Sequence, residues 1–189
     1  MNTVRSKSNL RALTETAILV AIGFALSYFK FTMPQGGSIT PASMLFILAI
    51  GIRRGPAWGV CGALVYSGLQ MLQGFYPPPT ETLPYFIAVV LLDYVIAFSV
   101  LGFAGFFGKK KNGILYAVPV CLFIRFLCHF ISGVLIWSVY AGDTPAWIYS
   151  LTYNGSYMGA ELLICMAAAV FVLRYNTAMS RDKQIFIRQ

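Results

Sequence analysis

LPYFIAVVLLDYVIAFSVLGFAGFF, residues 83–107, runs for 25 residues and carries one charge, Asp93. About 20 apolar residues in a helix cross the hydrocarbon core of a bilayer, so this stretch is long enough to span it. Outward from it, further apolar runs lie at Ala12 to Tyr28, Ile39 to Ile52, Trp58 to Leu72, Ile114 to Tyr140 and Asn154 to Leu173. Together they predict an all-α integral membrane protein, a bundle of six transmembrane helices that takes up residues 1–189 as one domain. The run from Ile39 to Ile52 is the weakest, because it is short and contains Pro41. It predicts a short or broken helix, which lipid tolerates only where protein covers the freed backbone groups.

Composition agrees. The chain has 189 residues, 58% hydrophobic and 11% charged, with a mean hydropathy of +0.72. Soluble domains carry about 25% charged residues, so this chain cannot clothe a water-compatible surface. Six spans leave no room for a nucleotide-binding motor, and no GxxxxGK[ST] phosphate loop occurs. The net charge of +8 raises nucleic acid as a partner, but the charges flank apolar runs, which points to a membrane and to no nucleic acid. Cys61, Cys121, Cys128 and Cys165 lie in or beside apolar segments without CxxC spacing and read as small buried hydrophobes, neither disulfides nor metal ligands. Arg5, Lys7 and Arg11 precede the first run as in a signal peptide, but Glu15 and the length of the apolar run favour a retained span.

Lys and Arg set the orientation. Arg5, Lys7 and Arg11 precede the first span, Arg53 and Arg54 follow the second, Lys109 to Lys111 follow the fourth, and Arg174, Arg181, Lys183 and Arg188 follow the sixth. The other side has only Lys30, with Glu81 and Asp143, so the positive-inside rule places both termini in the cytoplasm. The external connections are MPQGGSITP, GFYPPPTET and AGDTPAWIYSLTYNG, whose Gly, Pro and aromatic content predicts stiff, shaped loops. No internal repeat supports an inverted-repeat transporter.

Ionisable groups at membrane depth are costly and need a partner or a purpose. They are Asp93 in the fourth span, Arg125 and His129 in the fifth, and Glu161 in the sixth. Arg125 and His129 are four apart and share a helical face. One reading is a structural Asp93–Arg125 pair. The other makes Asp93 the counter-ion of a cationic ligand, because Tyr85, Tyr94, Trp137, Tyr149 and Tyr153, with Asn154, converge on the external half. Aromatic faces beside a carboxylate suit a flat, positively charged heterocycle. One histidine among scattered carboxylates makes no metal site, and no Ser/His/Asp spacing or Gly-x-Ser-x-Gly elbow indicates hydrolysis. In the first span Ala17, Ala21 and Ala25, with Gly23 nearby, form a small-residue stripe that lets a helix approach closely, within this protein or on a partner.

Several segments carry a family resemblance: LTETAILVAIGFAL, GIRRGPAWG, LLDYVIAFSVLGFAGFF, RFLCHFISGVLIWSVYAG and YSLTYNG, with His129, Trp137, Tyr149 and Asn154 at their H-x7-W and Y-x4-N spacings. In these the chain resembles the thiamine-specific substrate-binding subunit, or S-component, of energy-coupling factor (ECF) vitamin transporters. The resemblance implies a six-helix bundle that captures thiamine outside and docks on a transmembrane coupling subunit driven by two ATPase subunits, with no cofactor and no enzymatic step. It implies an AxxxA docking motif at Ala17 and Ala21, a pocket carboxylate at Asp93 beside Tyr94, and ring-stacking or hydroxyl-binding roles for His129, Trp137, Tyr149 and Asn154. Members of that family can carry Glu where this chain has Asp93, and a Trp in the first external connection, where this chain has Gly37 and Ser38. Rival readings from other classes are a stand-alone proton-coupled carrier of thiamine or another cationic heterocycle, titrating at Asp93 or His129, and a membrane enzyme using the same two groups as acid and base.

Overall fold

The protein is described by a computed structural model covering residues 2–33 and 37–187, with side chains at 9–33 and 37–176. Its helices are α1 (Asn2–Ser27), α2 (Ser43–Arg54), α3 (Pro56–Gly74), α4 (Leu83–Phe107), α5 (Gly113–Leu135) and α6 (Ala146–Ile187). A short antiparallel hairpin of β1 (Phe31–Thr32) and β2 (Ser38–Ile39) joins α1 to α2, with Phe31 opposite Ile39 and Thr32 opposite Ser38. The fold is thus the expected six-helix membrane bundle. Asn9–Ser27 of α1, all of α4 and α5, and Ala146–Asn176 of α6 are long and apolar enough to cross a membrane.

The expected second span is corrected in its bounds. Ile39 belongs to β2, Pro41 precedes the helix, and α2 has 12 residues. At 1.5 Å per residue that is roughly 18 Å, well short of a ~30 Å hydrocarbon core. Such a helix survives because it is enclosed: Ile47, Leu48 and Ile50 have no exposed surface and pack with Tyr66, Leu101, Val118, Leu122 and Cys165 in the core. The outward faces carry Phe123, Leu135, Leu163 and Phe171, an apolar surface suited to lipid. Where α3 meets α4, a Cβ at Gly102 would stand 2.6 Å from the Val60 Cα, so only glycine permits the backbones to touch.

Two other boundaries move. The run expected from Ile114 to Tyr140 ends as a helix at Leu135 and tightens into a 3-10 turn at Trp137–Tyr140. The last helix begins at Ala146 rather than near Asn154, so Tyr149, Tyr153 and Asn154 lie on its first turns and the third external connection shrinks to 141–145. Cys61 is exposed rather than buried, while Cys121, Cys128 and Cys165 are buried as expected.

The two ends of the bundle differ in chemistry. At one, the Glu15 carboxylate of α1 pairs with both Arg53 and Arg54 at the end of α2, on the side where Lys109 to Lys111 link α4 to α5. The other end gathers the hairpin, the proline-rich connection and the Trp137–Tyr140 turn.

Candidate binding site

α4 changes pitch at Asp93. Leu83–Val89 and Ile96–Gly102 are α-helical, but Val90–Val95 between them is a π-helix. A π turn accommodates an extra residue and rotates the helix beyond it, and such turns recur at functional sites. Asp93 sits inside it, about ten residues from the outer end of a ~20-residue crossing.

The carboxylate is held by three donors from the neighbouring chain segment. Its Oδ1 lies 3.0 Å from His129 Nδ1. Its Oδ2 accepts from the Ser132 hydroxyl at 2.7 Å and from Trp137 Nε1 at 3.0 Å. The same indole N–H is shared with Ser132 Oγ at 3.1 Å. His129 and Ser132 are three apart on α5 and so face α4 together, and the turn after Leu135 swings Trp137 back over them. On the far side of the ring, the buried His129 Nε2 has no partner among the described residues.

α6 closes the other side. Asn154 donates from Nδ2 to the His129 carbonyl at 3.1 Å and to Ser150 Oγ at 3.1 Å, while the Ser150 hydroxyl donates to the Phe130 carbonyl at 2.7 Å. The Tyr157 hydroxyl donates to Asn154 Oδ1 at 3.0 Å, and its ring stands edge-on to His129 with centroids 6.3 Å apart. Tyr149 stacks on Tyr153, which meets Tyr157 edge to face, and Trp137 stacks on Tyr140. The return strand of the hairpin packs against α6 beside Tyr157. Gly37 has φ of +69°, and a Cβ there would collide with the Tyr157 ring.

The structure therefore brings Asp93, His129, Trp137 and Asn154 into one hydrogen-bonded array, with Tyr149 attached through Tyr153. Three members escaped sequence reading: Ser132, Ser150 and Tyr157. Helical offset was the available signal, since Ser132 follows His129 by three, and Ser150 and Tyr157 stand four before and three after Asn154.

Other expected residues lie elsewhere. Tyr94 turns toward α3: its hydroxyl donates to the Gly74 carbonyl at 3.2 Å and accepts the Tyr76 N–H at 3.1 Å, anchoring the proline-rich connection. Tyr85 is exposed on the first turns of α4. Arg125 does not form the structural pair with Asp93. It is 6% exposed, with its Cζ 3.9 Å from the centroid of the Phe98 ring, and its Nε and Nη1 have no partner among the described residues. Ala17, Ala21 and Ala25 are exposed and line a groove of about 740 Å³ between α1 and α3 that also touches Phe24, Trp58 and Cys61.

The array is built around Asp93. It is a carboxylate with fixed orientation, beside the His129 and Trp137 rings, about midway along its span. Residues 13–181 match the family described as Thiamine transporter protein. The chain belongs to that family. It is 34% identical to the thiamine transporter ThiT of Bacillus subtilis (strain 168), over 92% of this chain and 94% of that one. It is 28% identical to ThiT of Lacticaseibacillus paracasei, over 97% and 98% of the two chains. A solved structure of ThiT from Listeria monocytogenes shares the fold with a TM-score of 0.74 at 23% identity, covering 90% of this chain and 97% of that one. The family is one of transporters rather than enzymes, and the chain is a multi-pass protein of the bacterial cell membrane.

Proposed function

We propose that this protein captures thiamine at the external end of its bundle, without chemical change, as the S-component of an ECF transporter. The observation that carries the reading is the setting of Asp93. Its carboxylate accepts from His129, Ser132 and Trp137, and among the described residues no Lys or Arg pairs with it. A carboxylate at membrane depth without a Lys or Arg partner favours a cationic ligand. Thiamine supplies a permanent charge on one flat ring and hydrogen-bonding edges on the other. Trp137 and His129 would take the rings, Asp93 would supply charge and accept from the aminopyrimidine, and Tyr149 with Asn154 would read polar edges. Of the other expected residues, Tyr94 enters this proposal through the proline-rich connection it anchors, and Tyr85 and Arg125 as outlying neighbours rather than contacts of the ligand.

Delivery inward requires partners. The exposed Ala17, Ala21 and Ala25 stripe would receive a helix of the transmembrane coupling subunit, because small side chains let backbones approach closely where lipid supplies no hydrophobic drive. Two ATPase subunits bound to that partner would supply the energy.

The test compares the purified chain with the chain reconstituted alone. Saturable thiamine binding in detergent, with no pH-driven accumulation in proteoliposomes holding only this chain, is the expected result. Accumulation by the chain alone would contradict the assignment of partners and favour a proton-coupled carrier.

A further inference from the structure

Glu161 is a second acidic side chain at membrane depth, one that the proposed binding chemistry does not use. It lies on α6 with 1% of its surface exposed, and a carboxylate in that position needs a purpose. Its Oε1 accepts two hydrogen bonds from one residue 121 positions away, the backbone N–H and the hydroxyl of Thr40, both at 2.6 Å. Thr40 is the first residue after β2.

The bond ends a chain of donors that runs in one direction. The Tyr66 hydroxyl of α3 donates to Ser43 Oγ of α2 at 3.2 Å, Ser43 and Thr40 share a hydrogen bond at 2.7 Å, and Thr40 donates to Glu161. Because Thr40 spends its proton on the carboxylate and Tyr66 supplies one to Ser43, Ser43 must be the donor to Thr40. Bonds ordered this way polarise one another in a low-dielectric interior. Side chains of α3 and α2 are thus linked in series, through Thr40, to one carboxyl oxygen of α6. Four residues earlier on the same face of α6, Tyr157 meets Gly37 at the other end of β2 and reaches Asn154, which holds the His129 carbonyl.

We infer that Glu161 is a positioning residue: by fixing Thr40 it presses the return strand of the external hairpin onto α6 and so holds Tyr157, Asn154 and His129 in place around the ligand. Both Thr40 donors meet the same oxygen, Oε1, so this one side chain fixes the backbone and the hydroxyl of Thr40 together. The inference rests on the thiamine-binding reading for its effect on ligand, but the anchor itself is independent of it.

Two measurements separate these levels. Thr40→Val keeps shape and the N–H but removes the hydroxyl, Glu161→Gln puts an amide NH2 in competition for the place of the acceptor oxygen, and Thr40→Ser restores the hydroxyl. In the ligand-free protein, hydrogen exchange of the segment 37–43 should rise in Thr40→Val and Glu161→Gln and return to the wild-type level in Thr40→Ser. Thiamine wash-out from the same variants should accelerate roughly ten-fold, equivalent to ~1.4 kcal/mol. The double variant Thr40→Val with Glu161→Gln should be little worse than either alone, because both break one linkage. Unchanged exchange in both single variants would overturn the anchor, and raised exchange with unchanged wash-out would overturn its action on the site. A wild-type protein that does not bind thiamine would instead overturn the functional reading, while the exchange experiment would still decide the anchor.

Discussion

Replacing Asp93 with Asn is nearly isosteric, so its effect separates charge from shape. In the ligand-free site the carboxylate receives donors from His129, Ser132 and Trp137 at 3.0, 2.7 and 3.0 Å. An amide keeps one acceptor oxygen and presents an NH2 where the carboxylate had a second acceptor. Either His129 or the Ser132–Trp137 pair then faces a donor, and the ring or the indole must turn. The Coulomb loss can be bounded separately. A unit cation about 4 Å from the carboxylate is attracted by about 4 kcal/mol at an effective dielectric of ~20. Removing one partner of a buried charged pair is typically worth ~2–5 kcal/mol. The two routes agree, and thiamine affinity should fall by roughly 30-fold to a few thousand-fold at ~1.4 kcal/mol per decade. Titration calorimetry on the purified variant measures this directly, with its thermal melt as a check of folding. Wild-type affinity in a folded Asp93→Asn protein would refute the counter-ion argument and leave Asp93 a structural role.

Other substitutions test neighbouring parts of the account. Trp137→Ala should weaken binding by on the order of 1–2 kcal/mol or more through lost stacking and cation–π attraction, whereas Trp58→Phe, at the opposite end of the bundle, should leave affinity unchanged in the same titration. Ala17→Leu with Ala21→Leu should preserve thiamine binding, since both residues are exposed, while abolishing uptake by cells and co-purification with the coupling subunit. Gly102→Ala would drive a methyl into the α3 backbone, and the melting temperature should drop by the equivalent of ~1–3 kcal/mol, a typical penalty of overpacking. Gly37→Ala combines a positive φ with a collision against Tyr157, so it should impair binding more than global stability.

How much of this was legible in the chain varies with the distance over which each feature is encoded. Leu83 to Phe107 reads as a span because apolar length is a local property, and α4 occupies those residues. Asp93 and His129 stood out because intramembrane ionisable groups are rare, and Trp137 because it follows His129 by eight in one apolar run, but that Asp93 and Asn154 meet them depends on α4 and α6 packing against α5. Ser132 did not stand out, since a serine in a membrane helix usually reads as close packing and becomes a carboxylate partner only once α4 is placed beside α5. Tyr94 adjoins Asp93 in sequence, but successive residues of a helix stand ~100° apart, so it faces α3 and reaches the Gly74 carbonyl instead of the array. The Thr40–Glu161 bond joins residues 121 positions apart and has no local spacing at all. α2 was half legible: Pro41 marked an irregularity, but only burial on all sides explains how a 12-residue helix persists as a whole.

The central claim is that the chain by itself is a receptor for thiamine built around Asp93 and Trp137. Equilibrium binding of thiamine to the purified wild-type protein, followed by quenching of tryptophan emission, tests it most directly. Saturable quenching at one thiamine per chain is the predicted result, abolished in Trp137→Phe and shifted to far higher concentration in Asp93→Asn. A folded wild-type protein whose emission and calorimetric heat do not respond to thiamine would contradict it.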